Sequence, residues 1–209
     1  MNSTPKISKW IIGDRETVSP NQKIGILGGS FNPAHEGHLS ISKIALQRLN
    51  LDEVWWIISP RNPLKKYDIL YDFEDRVSSA EKVIDTNHIS ISRLEKNAQI
   101  KYTIGTVEYL NTRYVGTKFV WIMGADNLKD FHRWREWDKL ALTVPIAIID
   151  RPSSSLDVTS SLFANKYRKY RVDEADAQNL ADKKKPAWVF LHSKLNDQSS
   201  SQLRNSGLK

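Results

Sequence analysis

The 209-residue chain contains no cysteine. This absence excludes a disulfide framework, a cysteine-ligated zinc or iron–sulfur centre and a thiol nucleophile. The chain also lacks any run of about 18 apolar residues, which excludes a transmembrane helix. Residues Met1–Pro20 are polar, apart from a short patch at Trp10–Ile12. They lack the apolar stretch and small-residue cleavage site of a secretory signal peptide, so we expect a cytoplasmic protein.

Positive charge is in excess, because 31 lysines and arginines face 24 aspartates and glutamates, a net charge of +7. Such a balance favours anionic partners, among them nucleotides and nucleic acids. Part of the excess lies in the runs Lys166–Arg171 and Lys183–Lys185. Charge runs are most often solvated surfaces. Charge alone therefore leaves a nucleotide-binding enzyme and a basic nucleic-acid-binding protein both open.

Short apolar segments alternate with longer segments of helical periodicity. The pattern predicts strands at Lys23–Gly29, Val54–Ser59, His88–Leu94, Lys118–Gly124, Val144–Asp150 and Ala187–His192. It predicts helices at Gly37–Leu49, Phe73–Ile84, Tyr102–Tyr114, Trp134–Leu142 and from Ser201. This alternation is typical of an α/β fold that is Rossmann-like and doubly wound, with a mainly parallel sheet and helices on both faces.

The domain organisation follows from the same pattern. Residues 23–209 are expected to form a single domain, and residues 1–22 an N-terminal extension. Between Pro152 and Pro186 the strand–helix pattern is lost. We expect this stretch to be an exposed, partly helical excursion. In parallel sheets ligands bind beyond the carboxyl ends of the strands, so the residues that follow each strand are the candidates for a site.

The densest polar segment follows the first predicted strand, at Gly28–His38. Gly28 and Gly29 allow the backbone to turn tightly and to approach a ligand without side-chain clashes. The helix that follows offers N–H groups and the positive end of its dipole, which together bind phosphate. His35 and His38 are three residues apart and can share one face of the first helical turn. The segment therefore indicates a phosphate site.

This segment differs from the better-known motifs of similar composition. Its glycines do not form G-x-G-x-x-G, and no Gly-Lys-Ser/Thr follows them. His35-Glu36-Gly37-His38 is one residue shorter than the H-E-x-x-H spacing that binds zinc, so no metal site is predicted. A helix N-terminus disfavours a cation, so we expect neutral imidazoles in the empty site. A bound polyphosphate would favour their protonated, hydrogen-bond-donating form.

A second polar segment, Ser199–Arg204, follows the last predicted strand. Its serines can cap a helix, and a plain cap is the simpler interpretation of the serines alone. The same hydroxyls and cap N–H groups form a phosphate cradle, and the guanidinium of Arg204 suits phosphate oxygens.

Other polar groups follow the remaining strands. Gly124-Ala125-Asp126 suits a ribose hydroxyl, and the loop Pro60–Lys66 carries three cations where an anionic substrate would lie. Tyr102-Thr103 begins a predicted helix near the strand ends. Trp134 and Trp137 stand at helical spacing, which fits packing in the core as well as stacking on a ligand.

Together these segments resemble the nucleotidyltransferase superfamily, which is marked by a glycine-rich loop ending in H-x-G-H and a later serine–arginine segment. The finer resemblance is to bacterial nicotinate-nucleotide adenylyltransferases. It is carried by Tyr102-Thr103, Gly124-Ala125-Asp126, Trp134 and Arg151-Pro152, in order along the chain. The sequence departs from the pattern at three positions. Ser201 stands for a more frequent threonine, Gln198 for an apolar residue, and Asn32 for an aspartate of the wider superfamily.

The resemblance implies that ATP and nicotinate mononucleotide react to deamido-NAD and pyrophosphate by direct in-line attack. Mg²⁺ would be held mainly by substrate phosphates. The implied catalytic residues are His35, His38 and Arg204. The implied ATP-binding residues are Gly28, Gly29, Ser30, Phe31, His38, Gly124, Asp126, Ser199, Ser201 and Arg204. The implied residues for the second substrate are Asn32, Asn62, Lys65, Tyr102, Thr103, Trp134 and Arg151.

Two alternatives stay open at this stage. One is an adenylyltransferase for another acceptor, either nicotinamide mononucleotide or phosphopantetheine. Phosphopantetheine enzymes are typically shorter and lack an element like Trp134. The other is a non-catalytic protein that binds nucleic acid through its basic runs. We expect neither a nucleic acid nor a membrane as partner, and the sequence does not indicate an oligomeric state.

Overall fold

The computed structural model describes residues 18–61, 69–150 and 161–192, together with the backbone of residues 11–12. In this part of the chain seven strands form one sheet, and every neighbouring pair is parallel. The strands are β1 (Ile11–Ile12), β2 (Lys23–Gly29), β3 (Glu53–Ile58), β4 (Ile89–Ser92), β5 (Lys118–Gly124), β6 (Ile146–Ile149) and β7 (Trp188–Leu191).

The strand order β1-β4-β3-β2-β5-β6-β7 places β2 in the middle of the sheet. From β2 the chain moves outward to β3 and β4, and then returns to the other side of β2 to form β5, β6 and β7. Strand order therefore reverses between β2 and β5. In open α/β sheets the ligand crevice lies at this reversal, outside the carboxyl ends of the strands. The segments that follow β2 and β5 consequently leave the sheet from neighbouring strands.

Helices cover both faces of the sheet. The α-helices are α1 (Glu36–Arg48), α2 (Phe73–Val83), α3 (Leu94–Asn97), α4 (Thr103–Arg113), α5 (Ala125–Leu128), α6 (Trp137–Thr143) and α7 (Leu162–Lys166). Short 3₁₀ helices lie at Phe131–Arg133, Arg168–Tyr170 and Glu174–Asp182. Within the described residues, no helix has the length and apolar character that a bilayer crossing requires.

Side chains along β2, β3, β5, β6 and β7 alternate between two apolar clusters. In β3, Trp55 and Ile57 belong to the cluster under α4, α6 and α7, whereas Trp56 and Ile58 belong to the cluster under α1 and α2. This period of two is what a strand buried on both faces requires. The predicted fold class, a doubly wound parallel sheet covered on both faces, is confirmed.

The predicted element boundaries are mostly correct to within two residues, with one larger difference. The helix predicted from Trp134 begins at Trp137, because a 3₁₀ turn at Phe131–Arg133 and a connecting segment precede it. The last predicted helix, from Ser201, lies outside the described residues. The division of the chain at residue 22 stays a prediction.

Residues 161–182 were expected to lie in an exposed, partly helical excursion. The helical part is confirmed by α7 and the two 3₁₀ helices that follow it, and most of the segment is exposed, but it also inserts side chains into the core. Phe163 and Tyr167 are buried in one apolar cluster, and Leu180 is buried in the other. The segment lacks long periodic elements because it is built from one-turn and 3₁₀ pieces that bury single side chains. Sequence periodicity does not detect such pieces.

The edge strand β1 was not predicted. It pairs Ile11 with Ile91 and Ile12 with Ser92, in parallel with β4. Two residues are too short a segment to show a strand pattern. Part of the N-terminal extension therefore completes one edge of the sheet.

Candidate active site

The turn after β2 is shaped by packing against β5. An ideal Cβ on Gly28 would lie 2.5 Å from Cη2 of the buried Trp121, whereas one on Gly29 would lie 3.4 Å from the Phe31 ring. The residue of this turn that adopts the left-handed backbone conformation is Phe31, with a φ of 45°, and neither glycine does so. Gly28 is therefore required by close packing with the neighbouring strand, which the sequence did not reveal.

The Phe31 ring anchors the turn in the interior. It is buried and stacks on Trp56 of β3, with ring centroids 5.0 Å apart. The His38 ring lies on it at 4.6 Å. The aromatic contacts fix the place where the chain leaves β2, and they orient the imidazole of His38 with it.

The two histidines lie together at the start of α1, as their spacing predicted. Their ring centroids are 3.9 Å apart. His35 is buried and is the N-cap residue, and its Nδ1 accepts a hydrogen bond from the Gly37 N–H at 3.1 Å. The half-buried His38 accepts the His35 N–H at its own Nδ1 at 3.3 Å. The two imidazoles thus form a capping box, in which His35 takes the place of the usual serine or threonine at the N-cap and His38 that of the glutamate or glutamine at N3.

These hydrogen bonds determine the tautomer of each ring. A neutral imidazole that accepts at Nδ1 holds its proton on Nε2, where it donates. In the neutral form both rings therefore carry their donor on Nε2, in the turn that joins β2 to α1. This arrangement supports donation to an anion that binds at the helix N-terminus.

Asn32, predicted to bind substrate, holds a neighbouring loop. Its Nδ2 donates to the carbonyl oxygen of Ile69 at 2.9 Å, and its Oδ1 accepts from the Tyr71 N–H at 3.0 Å. The residue is buried. These contacts tie the segment before α2 to the turn after β2. Substrate binding by Asn32 stays a prediction.

Arg76 of α2 was not predicted as a site residue. Its buried guanidinium donates to four carbonyl oxygens that belong to the loops at the strand ends: Ser30 at 2.7 Å, Ser59 at 2.7 Å, Pro60 at 3.0 Å and Tyr71 at 3.1 Å. The fork geometry of arginine allows one side chain to join several segments. One feature of the sequence could have indicated this role. Arg76 lies beside Val77 on the apolar face of α2, and a charged side chain that is buried there needs hydrogen-bond partners.

Glu95, in α3 just after β4, was also missed. Its buried carboxylate accepts the Ser59 hydroxyl at 2.6 Å and the Thr106 hydroxyl at 2.7 Å. Burial raises the pKa of Glu95, and the two hydroxyl donors lower it by a smaller amount. An ionisable group with such partners, set at the ends of the strands, is a candidate for a role in the site.

The remaining predicted residues that the structure describes lie around the carboxyl ends of the strands. Tyr102 is exposed and precedes α4, which begins at Thr103. Gly124 ends β5, and the exposed Asp126 lies in α5 directly after it. The half-buried Trp134 packs edge to face on Trp121, with ring centroids 6.2 Å apart. Trp134 thus contributes to the core, while its stacking on a ligand stays a prediction.

Six of the predicted residues lie outside the described part of the chain. They are Asn62, Lys65, Arg151, Ser199, Ser201 and Arg204. The structure therefore brings the histidine pair together, and the convergence of Arg204 with that pair stays a prediction.

Comparison with known proteins gives one family model and several close relatives. Residues 26–206 match the cytidylyltransferase-like family. A probable nicotinate-nucleotide adenylyltransferase of Agrobacterium fabrum strain C58 is 46% identical over 183 residues, which cover 88% of this chain and 98% of that protein. A protein of the same description from Bradyrhizobium sp. strain ORS 278 is 48% identical, over 88% of this chain and 95% of that protein.

A solved structure is similar in fold. It is the Plasmodium falciparum nicotinic acid mononucleotide adenylyltransferase complexed with NaAD. It superposes with a TM-score of 0.66 at 21% identity, and the match covers 88% of this chain and 83% of that one. At this identity the likeness establishes the common fold.

Proposed function

Since this chain belongs to the cytidylyltransferase-like family, and within it to the nicotinate-nucleotide adenylyltransferases, we propose that it transfers the adenylyl group of ATP to nicotinate mononucleotide. The phosphate oxygen of the mononucleotide attacks the α-phosphorus of ATP in line. A new P–O–P bond forms, and the bond to the leaving pyrophosphate breaks. The products are deamido-NAD and pyrophosphate, and the reaction belongs to NAD biosynthesis.

The observation that supports this proposal most directly is the histidine pair at the N-terminus of α1. With both Nδ1 atoms accepting backbone N–H groups, both Nε2 atoms carry donors at the switch point of the sheet. Phosphoryl and adenylyl transfer need positioning and charge neutralisation more than covalent chemistry. His35 and His38 hold the ATP phosphates and the attacking phosphate in this proposal, and no protein nucleophile takes part.

The other assignments rest on the motifs. Ser199, Ser201 and Arg204 take the leaving pyrophosphate, and the Gly28–Phe31 backbone contacts ATP. Asp126 after β5 binds the ribose of adenosine. Tyr102 and Thr103 at the start of α4 line the pocket for the pyridine ring, and Trp134 stacks on that ring. Asn62, Lys65 and Arg151 contact the mononucleotide.

Magnesium fits this site as an ion carried by the substrates. The described residues include no cluster of three or more histidine, aspartate or glutamate side chains that would hold a metal by themselves. Mg²⁺ usually keeps several waters and binds through phosphates and one or two carboxylates. The ion would neutralise charge on the polyphosphate. We further propose that the enzyme acts in the cytoplasm.

The experiment that tests the proposal measures pyrophosphate release from ATP and Mg²⁺ with each acceptor in turn. Nicotinate mononucleotide should give the highest kcat/KM, followed by nicotinamide mononucleotide, with phosphopantetheine inactive. A higher kcat/KM for either of the other acceptors would overturn the acceptor assignment. No release with any of the three would overturn the enzymatic assignment.

The nucleic-acid-binding alternative finds less support in the structure. Within the basic run, Tyr167 is buried and donates its hydroxyl to Asp138 at 2.8 Å, and Lys166 pairs with the same carboxylate at 2.6 Å. Burial and the neighbouring Asp138 raise the pKa of Tyr167 well above its usual range. Two members of the run are therefore engaged in the fold. Tight, steeply salt-dependent binding of nucleic acid would restore this alternative.

A further inference from the structure

A continuous chain of buried hydrogen bonds runs beneath the site. Arg76 donates to the carbonyl oxygen of Ser59 at 2.7 Å, and the Ser59 hydroxyl donates to Oε2 of Glu95 at 2.6 Å. Oε1 of the same carboxylate accepts the hydroxyl of Thr106 at 2.7 Å. We call these four residues the buried chain. Arg76, Glu95 and Thr106 are buried, and Ser59 is half-buried.

The buried chain joins four segments that are distant in the sequence. Arg76 contacts the turn after β2 through Ser30, and Ser59 lies in the loop after β3. Glu95 follows β4, and Thr106 lies in the first turns of α4. All of these segments meet at the carboxyl edge of the sheet. The buried chain therefore connects the histidine turn with α4, which begins at Thr103 directly after Tyr102.

The carboxylate of Glu95 has a particular place in this arrangement. One of its oxygens accepts a hydrogen bond from the loop after β3, and the other accepts one from helix α4. Both hydrogen bonds are short and therefore restrict the spacing of the two segments. Loss of either hydroxyl removes one of the two anchors without changing the apolar packing of α4, which includes Ile104, Val107 and Leu110. The carboxylate thus sets where the N-terminus of α4 lies relative to the strand ends.

We propose that Glu95 is a positioning residue for the acceptor mononucleotide. It acts through Thr106 on the start of α4 and through Ser59 on the loop after β3. This inference rests on the proposed function, which assigns Tyr102 and Thr103, at the start of α4, to the pyridine pocket. Glu95 itself contacts no reacting atom. Its effect is on the affinity for the mononucleotide more than on that for ATP, because ATP phosphates are held at α1.

The test compares two changes at one position. Thr106→Val keeps the shape of the side chain and removes the hydroxyl, whereas Thr106→Ser keeps the hydroxyl and removes a methyl group. We expect T106V to raise KM for nicotinate mononucleotide about tenfold, because Oε1 of Glu95 is left buried without its hydrogen-bond donor. KM for ATP should stay within about twofold of the wild-type value, because the misplacement is confined to α4. T106S should restore KM for the mononucleotide.

Two further variants complete the design. Ser59→Ala removes the other hydroxyl on Glu95 from a half-buried position, and we expect the same selective rise in KM. Glu53→Gln is the matched control, because Glu53 is also a buried carboxylate that accepts a serine hydroxyl, from Ser90, but at the amino end of β3. It should leave both KM values unchanged. Circular dichroism and urea unfolding check that each variant is folded.

Each outcome decides between the inferences. A selective rise in KM for T106V and S59A, with recovery in T106S, supports the positioning role. Suppose that the wild-type enzyme turns over the mononucleotide. Unchanged KM values in T106V, or equal rises in KM for both substrates, would then overturn the positioning role and leave the proposed function standing. Equal impairment of T106S and T106V also overturns it, since packing would then be the cause. A wild-type enzyme without turnover of the mononucleotide overturns the proposed function and this inference with it.

Discussion

The close approach of Gly28 to Trp121 makes Gly28→Ala a sharp probe of how β2 packs beside β5. The added Cβ would lie 2.5 Å from Cη2 of a buried indole, a separation that real Cβ atoms do not tolerate. Trp121 has little room to move, since Trp134 packs on its ring at 6.2 Å. Overpacking of this kind costs about 1–3 kcal/mol. For a chain of this size that cost corresponds to a fall in Tm of roughly 2–12 °C.

Urea unfolding and thermal unfolding of G28A measure this cost, and two variants serve as controls. Gly29→Ala places its Cβ at 3.4 Å from the Phe31 ring, an ordinary contact, and should change stability by less than about 0.5 kcal/mol. The second control is the double variant G28A/W121F, in which the smaller ring leaves room for the added Cβ. The G28A change should therefore lower the free energy of unfolding less in the W121F background than in the wild-type protein. An unchanged stability of G28A, or a double variant in which the two effects simply add, would refute the packing explanation.

Three other predictions concern catalysis and pH. His38→Ala removes a preorganised donor and should raise the barrier by about 3–4 kcal/mol, a loss of a few hundredfold in kcat or more, with an unchanged circular dichroism spectrum; steady-state rates close to wild type would show that His38 has no such role. Trp134→Ala should raise KM for the pyridine mononucleotide more than KM for ATP, and equal rises would count against stacking. Burial raises the pKa of Glu95 above that of an unfolded carboxyl group, so the native state binds this proton more tightly. The contribution of Glu95 to stability is therefore greatest below the unfolded pKa and is lost as the pH rises through the raised folded pKa. Urea unfolding across that window should show a steeper fall with pH for wild type than for Glu95→Gln, and parallel curves would contradict the shift.

Much of the fold was predictable because its strands are uniform in character. Lys23–Gly29 and Lys118–Gly124 have the predicted bounds in the structure. Each is a run of apolar residues that begins after a lysine and ends in glycine, and such a run is the pattern of a parallel strand covered on both faces. Residues 161–182 could not be predicted in the same way. Their burial comes from single side chains such as Phe163 and Leu180, inserted from short turns.

The candidate site was predictable in part for a similar reason. His35 and His38 lie at a strand–helix junction, and a spacing of three residues places two side chains on one helical face wherever the helix forms. Arg76 gives only the weak signal of its place on the apolar face of α2, and Glu95 gives none. An arginine in an amphipathic helix and a glutamate after a strand are ordinary surface residues until a fold buries them. Their partners, Ser30, Ser59 and Thr106, are known only when the loops are placed.

The amino-acid sequence by itself determined the order of strands and helices, the junction that carries the histidine pair, and the resemblance to a family. These properties depend on residues that are neighbours in the chain. Tertiary structure alone decided that Gly28 is required by Trp121, that Arg76 joins several loops, and that Glu95 lies between Ser59 and Thr106. Burial and hydrogen bonding of this kind arise from contacts between distant segments, because a parallel sheet brings together strand ends that the chain itself keeps far apart.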